Sequence, residues 1–265
     1  VIQADNSSIA DEMRKLQAKG VKLITVDGDV NRGTFRDARP YYIGTDNMVG
    51  GRTLGTAARA VLEAKGLKAG GYAQFAGFTD NDNARSRMDG VKEAIGTAFT
   101  ERDRMADEMD LPRARDNVRN AIQNHGDLAA LVGIWAYNAP AIADVLGESG
   151  TRDRYVVATF DAADLAIGQM EKGNIDVMVV QNPFEMGVRT VRLLKAMVEN
   201  DEATIAEMFP RAGEPDGDIH TTGLRVVVPD ASSPVKPELF DPKFVEFMTL
   251  PDFKAWLAKY NLTSS

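Results

Sequence analysis

Polar side chains capable of holding a ligand follow nearly every apolar run of the sequence. The positions directly after these runs are Asp5, Asp27, Asp46–Asn47, Thr79–Asp80, Tyr137–Asn138, Asp161 and Gln181–Asn182. Carboxylates accept hydrogen bonds, guanidinium groups donate them in a fixed fork, and amides do both. Because each sugar hydroxyl also donates and accepts, this set favours a neutral ligand rich in hydroxyls. The rings of Trp135 or Tyr137 could cover the apolar face of a pyranose.

Each of these positions also has a purely structural explanation. Asp, Asn, Ser and Thr cap helix N-termini and form turns, so strand-to-helix loops use them without any ligand. Gln181 fits that explanation poorly, because Gln is a weak cap and Asn182, directly before Pro183, already fills the capping position. Asp161 follows an apolar run that we expect to be buried, so its carboxylate needs partners.

Motifs of nucleotide binding and hydrolysis are missing from the sequence. There is no G-x-G-x-x-G after the first predicted strand, no G-x-x-x-x-G-K-[ST], no G-x-S-x-G and no H-E-x-x-H. The sequence has no cysteine and two histidines, both in contexts that favour the surface. Asp80–Asn83 is the only run that suggests a metal site, and it lacks the Gly and the terminal Glu of a calcium loop. We therefore expect neither an enzyme nor a bound metal or cofactor.

Composition indicates a folded protein with room for a substantial core in 265 residues. The apolar fraction of 44% and the charged fraction of 26% are typical of globular proteins and exclude a disordered chain. A net charge of −8 disfavours nucleic acid, and no apolar run reaches the length of a membrane helix. The sequence starts at Val1 with neither an initiator Met nor an apolar leader, so we expect upstream sequence, including a signal peptide.

Apolar runs alternate with stretches of helical period, which predicts strand–helix–strand units and an α/β fold with parallel sheets. Helices are predicted between the strands and over Phe244–Tyr260. Gly50, Gly51 and Gly55 lie inside a helical pattern, which indicates close helix packing. Ligands of open parallel sheets bind at the carboxyl ends of strands, where the polar residues lie. The predicted strands are Val1–Ala4, Lys22–Val26, Tyr41–Gly44, Gly71–Ala76, Arg104–Met109, Ala130–Trp135, Tyr155–Phe160, Val177–Val180 and Leu224–Val228.

Several of these segments together resemble a known family, in the same order and over essentially the whole chain. The segments are Lys22–Asp27, Tyr42–Gly51, Asn83–Gly90, Tyr137–Asn138, Thr159–Asp161 and Val180–Gln181. They are similar to the periplasmic sugar-binding proteins of ABC importers, and most of all to the ribose-binding branch of the type I periplasmic binding proteins.

The resemblance implies two Rossmann-like parallel-sheet domains joined by a three-strand hinge. The N-terminal lobe would comprise residues 1–45 and 182–223, and the C-terminal lobe residues 46–181 and 224–265. The family's first two strand–helix units have no counterpart before Val1, which corresponds to roughly 60 residues at 30 or more per strand–helix–strand unit. We therefore expect an incomplete N-terminal lobe in this sequence.

The resemblance also implies a set of sugar-binding residues at the strand ends. Asp27 takes the place of the family's first strand-end aspartate, and Arg85 that of the arginine opening the first helix of the second domain. The family's strand-end asparagine, aspartate and hinge-side glutamine correspond to Asn138, Asp161 and Gln181.

Two departures from the ribose binders make ribose itself doubtful as the ligand. Gly28, followed by Asp29, stands where those proteins carry Arg after the strand-end Asp, and Asp110 stands where they place a stacking Phe. Tyr137, Asp110 and Asp29 are therefore further candidates for the site, while the sugar is left open.

The function implied is that of a monomeric, periplasmic solute-binding protein that is not an enzyme. It would capture a monosaccharide or related polyol between two lobes and deliver it to an ABC transporter permease, without nucleic acid or cofactor. The effector domain of a LacI-type transcription repressor is the alternative, which an upstream helix-turn-helix or a dimer would indicate. Against the repressor, Phe244–Ser265 resembles the tail of extracytoplasmic sugar binders. A sugar-sensing receptor domain is a third possibility, which an upstream or downstream transmembrane segment would indicate.

Overall fold

The computed structural model describes residues 7–265, which divide into two compact units. Unit 1 takes the residues up to Asp46 together with Asn182–Thr222, and unit 2 takes Asn47–Gln181 together with Gly223–Ser265. The predicted strand Val1–Ala4 and the polar residue Asp5 lie outside the described residues.

The strands are, in chain order, β1 (Thr25–Val26), β2 (Tyr42–Gly44), β3 (Gly70–Ala76), β4 (Phe99–Ala106), β5 (Leu128–Gly133), β6 (Val156–Phe160), β7 (Val177–Val180), β8 (Ile219–Thr221), β9 (Leu224–Val228) and β10 (Val245–Thr249). The α-helices are α1 (Ser7–Ala18), α2 (Asn47–Ala64), α3 (Asp82–Ile95), α4 (Leu111–Asn124), α5 (Asn138–Ser149), α6 (Asp164–Glu171), α7 (Pro183–Glu199), α8 (Glu202–Met208) and α9 (Leu250–Lys259). Most helices follow a strand directly, which is the alternation predicted from the sequence.

Unit 1 contains a parallel sheet in the order β1-β2-β8. Ile43 of β2 lies in a buried cluster with the apolar face of α7, including Leu193 and Met197. The hydroxyl of Tyr42 donates to the carbonyl oxygens of Asp27 and Thr45, at 3.0 and 3.2 Å. These bonds tie the ends of β1 and β2 together.

Unit 2 contains a larger sheet in the order β10-β9-β7-β6-β5-β3-β4. Its pairs are parallel except β7 with β9, which are antiparallel. Strands β5, β6 and β7 are buried at every position, because apolar clusters cover both faces of the sheet. Central parallel strands therefore consist of continuous apolar runs, which made them recognisable in the sequence.

The glycines of α2 let it pack closely against α3 within unit 2. A Cβ at Gly51 would overlap the carbonyl oxygen of Arg87, and one at Gly55 would lie 2.6 Å from the carbonyl oxygen of Val91. The approach is reciprocal, because a Cβ at Gly90 of α3 would lie 2.5 Å from the carbonyl oxygen of Met48. The interpretation of the glycine cluster as close helix packing is confirmed.

Two predicted elements were wrong. The strand placed at Arg104–Met109 is β4, Phe99–Ala106, an edge strand whose alternating charges hide its strand character. The segment Phe244–Tyr260 is not all helical, because β10 precedes α9. The change occurs at Thr249, whose side chain forms a reciprocal capping box with Asp252.

Candidate functional site

Two strand-end aspartates, one in each unit, share the same local backbone. Asp27 follows β1 with φ 63°, and Asp161 follows β6 with φ 64°. The N–H of Asp27 donates to the carbonyl of Ile43 in β2 at 3.0 Å, and that of Asp161 to the carbonyl of Val179 in β7 at 2.8 Å. Asp is among the few non-glycine residues that adopt this left-handed conformation readily. In both units the chain thus turns out of the sheet at a carboxylate.

In unit 2 the structure brings Asp161 and Gln181 together. Nε2 of Gln181 donates to Oδ1 of Asp161 at 3.0 Å, across the ends of the neighbouring strands β6 and β7. Ser265 exchanges two backbone hydrogen bonds with Ala162, at 2.9 and 3.1 Å, and its Oγ lies 3.4 Å from the carbonyl oxygen of Gln181. Asn182 caps α7 by accepting from the N–H of Glu185, which confirms the capping role expected for it. Gln181 is therefore a residue of the Asp161 cluster rather than a helix cap.

Arg87, which was not among the predicted site residues, also belongs to this cluster. Its side chain is buried, with Nη1 3.9 Å from Oδ2 of Asp161 and the guanidinium 4.5 Å over the ring of Phe160. Its Nε donates to Oδ1 of Asn47 at 2.9 Å. The helical period offered a signal, because Arg87 lies on the same face of α3 as Ala84 and Val91, both buried.

Arg85, the predicted ligand-binding arginine, lies apart from these contacts. Its side chain is 47% exposed, and its Nη2 pairs with Oδ1 of Asp82 at 2.5 Å. Its Nη1 also donates to the carbonyl oxygen of Asp80 at 3.3 Å. Residues i and i+2 of a helix point to different sides, so Arg85 and Arg87 cannot share one surface of α3. Arg85 thus presents an accessible guanidinium, whereas Arg87 has an interior one.

Asn138 and Tyr137 belong to a buried network at the ends of β4 and β5. Nδ2 of Asn138 donates to Oδ2 of Asp107 at 2.9 Å, and its Oδ1 accepts from the N–H of Trp135 at 3.0 Å. The hydroxyl of Tyr137 donates to Oδ1 of Asp107. Asn138 is 1% exposed and Asp107 is fully buried. The carbonyl oxygen and the NH₂ group of the Asn138 side chain therefore both form hydrogen bonds within the protein.

Asp107 is the residue that directly follows β4, whereas the predicted strand Arg104–Met109 would have placed Asp110 there. The error follows from the misplaced strand, whose predicted end lay three residues too late. Asp110 is the N-cap of α4 and accepts from the N–H of Arg113 at 2.8 Å. Asp110 therefore has a helix-capping role in the structure.

Asp29 is engaged in a buried ion pair of unit 1. It is 8% exposed and accepts from Nη2 of Arg39 at 2.6 Å, from Nε of Arg32 at 2.8 Å and from the hydroxyl of Thr25 at 2.7 Å. Burial alone would raise the pKa of Asp29, but the hydrogen bonds from Arg39 and Arg32 outweigh it and hold the pKa below its ordinary value. This carboxylate is therefore committed to the interior of unit 1.

The carboxylate of Asp27 is different, because none of the residues 7–265 makes a hydrogen bond or ion pair with it. The side chain is half-buried beyond the end of β1. Its hydrogen-bond acceptors are available to a ligand.

The part of the chain that the structure describes contains no group of three His, Cys, Asp or Glu side chains placed to hold a metal ion. In the same residues, no helix combines the length and the hydropathy needed to cross a membrane.

Comparison with known proteins places these features in a family. The model of the periplasmic binding protein domain matches residues 1–202. The D-allose-binding periplasmic protein of Escherichia coli is 23% identical over 181 residues, which cover 66% of this chain and 57% of that protein. The chain thus spans little more than half the length of this curated relative.

Solved structures share the fold. A glucose-galactose binding protein from Geobacillus stearothermophilus superposes with a TM-score of 0.70 at 22% identity, covering 85% of this chain and 74% of its own. An ABC transporter solute binding protein from Burkholderia graminis in complex with D-arabinose gives 0.68 at 23% identity, covering 84% and 72%. Since the family model covers most of the sequence, the chain belongs to the periplasmic binding protein domain family.

Proposed function

We propose that this protein is an extracytoplasmic solute-binding protein that captures a monosaccharide or related polyol and delivers it to an ABC transporter permease. The observation that carries the proposal is the matched pair of strand-end aspartates, Asp27 in unit 1 and Asp161 in unit 2, in a chain of the periplasmic binding protein family. Relatives named for D-allose, D-arabinose and glucose-galactose binding support a sugar as the ligand class.

The chemistry of the side chains suits a neutral polyhydroxylated ligand. Asp161 accepts from Gln181 with one carboxylate oxygen, and a carboxylate has further lone pairs that accept from sugar hydroxyls. Arg85 supplies a partly exposed donor whose present partner, Asp82, is also partly exposed. Hydrogen bonds to such charged groups are stronger than hydrogen bonds between neutral groups.

We propose that the two units are the two lobes of the binder and that each contributes one aspartate to the bound sugar. Such an arrangement couples binding to conformation, because a ligand favours those states in which it contacts more groups. Delivery follows when the permease recognises the sugar-bound state. The protein leaves the sugar chemically unchanged, acts as a monomer in the periplasm and needs neither metal nor cofactor.

A thermal-shift screen tests the proposal. The protein is heated with D-allose, D-arabinose, D-glucose, D-galactose, D-xylose and ribitol, each at millimolar concentration, and NaCl at matched osmolality serves as the blank. A ligand present at 100 times its Kd should stabilise the folded state by about 2.7 kcal/mol, which raises the Tm by several degrees. No shift with any sugar or polyol would contradict the proposal. Chemical conversion of a bound sugar on incubation would contradict the non-enzymatic part.

A further inference from the structure

Three half-buried aromatic rings, Phe78, Trp135 and Tyr137, form a cluster in unit 2 that we call the aromatic corner. Trp135 contacts the other two edge-on, with ring centroids 6.2 Å from Phe78 and 6.5 Å from Tyr137. The rings follow the carboxyl ends of β3 and β5, and β5 is the neighbour of β6, which ends at Asp161. The aromatic corner therefore lies on the same edge of the sheet as the Asp161 cluster.

The aromatic corner packs directly on backbone. A Cβ at Gly77 would overlap the indole of Trp135 and would lie 2.8 Å from the hydroxyl of Tyr137. The indole N–H of Trp135 donates to Oδ1 of Asn83 at 3.2 Å. Trp135 thus has a defined position that depends on the absence of a side chain at Gly77.

A single buried carboxylate, Asp107, fixes two of the three aromatic residues. It accepts from the hydroxyl of Tyr137, and through the amide of Asn138 it is linked to the backbone N–H of Trp135. Its third donor is the N–H of Met109 at 2.9 Å. Within residues 7–265, no Lys, Arg or His forms an ion pair with Asp107. All of its donors are therefore neutral.

Two further observations indicate that this arrangement is costly and is maintained by the surrounding structure. Burial raises the pKa of Asp107 against the lowering effect of its hydrogen bonds. Glu108 and Met109, the next two residues, are non-glycines with φ of 55° and 62°. Two successive non-glycine residues in this conformation are strained, and they persist only where contacts with neighbouring residues hold them in place. Strain of this kind is found at functional sites.

We propose that Asp107 is a positioning residue that holds the aromatic corner in place as a stacking surface for the apolar face of a sugar ring. The proposal rests on the proposed function for its ligand class. Stacking on rings that are already fixed avoids the entropic cost of ordering them at the moment of binding.

The substitution Asp107→Asn tests this with little change of shape. The new amide keeps one acceptor oxygen, but its NH₂ faces the Nδ2 donor of Asn138. Rotating the Asn138 amide would turn that donor toward the N–H of Trp135 instead. Neither orientation satisfies the network. Adding Asn138→Asp replaces the offending donor by an acceptor, so the double variant should recover the stability that D107N loses.

The readout is the fluorescence of Trp135 in a Trp256→Phe background, where it is the only tryptophan. The probe sugars are D-allose, D-arabinose and D-glucose. We expect a bound sugar to change the Trp135 emission, and we expect D107N to lower both the anisotropy of Trp135 and the sugar affinity, the latter on the order of tenfold. Gly77→Ala should act in the same direction by displacing the indole. Asp116→Asn is the matched control, since it makes the same change at an exposed carboxylate of α4 that pairs with the exposed Arg119.

Binding of a sugar to D107N with the parental affinity, well below the Tm of the variant, would overturn the inference. So would saturating sugar that leaves the Trp135 emission unchanged, or unchanged Trp135 anisotropy in sugar-free D107N. If no sugar binds the parent protein, the proposed function and the stacking role fail together. The anisotropy comparison then still decides whether Asp107 positions the aromatic corner.

Discussion

Among the described residues, Asp29 in unit 1 and Asp107 in unit 2 are both buried close to a strand end, but the two carboxylates have opposite surroundings. In unit 1, Asp29 is held by the guanidinium groups of Arg39 and Arg32, and its pKa lies below the ordinary value. In unit 2, Asp107 is held by a tyrosine hydroxyl, an amide and a backbone N–H, and burial raises its pKa. The first arrangement compensates the buried charge with other charges, whereas the second compensates it with neutral dipoles only.

If Asp107 has the positioning role proposed above, this difference in surroundings separates a structural aspartate from a functional one. The Asp29 ion pair joins the loop after β1 to the segment before β2, where Arg39 also pairs with Asp218 near β8. It therefore secures the small sheet of unit 1. Asp107 instead fixes Trp135 and Tyr137, which are partly exposed at the carboxyl edge of the unit 2 sheet, and carboxylates with a shifted pKa concentrate at functional sites.

The largest loss of stability is expected from removing Arg39, the cation that pairs with Asp29 in unit 1. Arg39→Met leaves the buried Asp29 with the partly exposed Arg32 as its remaining cation, and removing one partner of a buried pair destabilises a fold by about 3–5 kcal/mol. Urea denaturation followed by circular dichroism measures the loss. Arg14→Met is the control in the same unit, because its pairs with Asp11 and Asp37 are largely exposed and should matter much less. Equal losses in the two variants would show that the buried pair has no special role.

The second-largest loss of stability is expected from one of the two arginines of α3 and not from the other. Arg87→Met removes the donor to Asn47 and to the carbonyl oxygen of Ile134, and leaving buried acceptors unpaired costs about 1–3 kcal/mol. Arg85→Met should change the free energy of unfolding by less than about 0.5 kcal/mol, because the side chain is on the surface. A loss of sugar affinity in R85M at unchanged stability would support Arg85 as a ligand donor. Unchanged affinity would remove it from the site.

A smaller effect is expected from Gln181→Ala. The substitution removes the hydrogen bond to Asp161 and should weaken sugar binding about tenfold, the equivalent of one hydrogen bond to a charged group. Asn174→Ala, which removes an amide that bonds to Gln169 in the same unit, is the control. Calorimetric titration with the sugar identified in the screen provides the measurement. Equal affinities of the two variants would exclude Gln181 from the site.

The smallest expected effect is on how stability depends on pH, which should differ between the contributions of Asp29 and Asp107. The stability that ionised Asp29 contributes is present above the ordinary Asp pKa of 3.8 and is lost as the pH falls through its lowered folded-state pKa. For Asp107 the sign is reversed, because its raised pKa favours the protonated form and stability falls as the pH rises above 3.8. The stability gap between the parent and D29N should therefore shrink in acid, and that between the parent and D107N should grow. Parallel trends from pH 7 to pH 3 would contradict this.

The strands that could be predicted most closely from the sequence are those that are buried at every position and therefore form a nearly continuous apolar run. Val177–Val180 and Leu224–Val228 were predicted with their observed ends, because both are buried at every position. Strand β4 was misplaced because it is an edge strand with four consecutive charged residues, Glu101–Arg104, at its centre. Strand β10 was missed because only its first residue, Val245, is buried.

The prediction of site residues depended in the same way on how clearly each strand end could be recognised in the sequence. Asp161 and Gln181 follow strands with clear ends, and the structure joins them by a hydrogen bond. Asp107 was missed because the predicted end of β4 lay too late in the sequence. The pairing of Asp29 was not predicted, because its partner Arg39 is ten residues away and no local sequence pattern indicates the contact. Arg85 and Arg87 lie in the same motif, and only packing shows that Arg87 is buried and Arg85 is partly exposed.

Isothermal titration calorimetry of the parent, Asp27→Asn and Asp161→Asn with the sugar identified in the thermal screen tests the central claim most directly. If both aspartates hold the sugar, each substitution should weaken binding by a factor of about 10 to 100, with the stoichiometry of one sugar per chain unchanged, because each removes a charge-assisted acceptor. Parental affinity in either variant would contradict the assignment of that aspartate, and parental affinity in both would contradict the account as a whole.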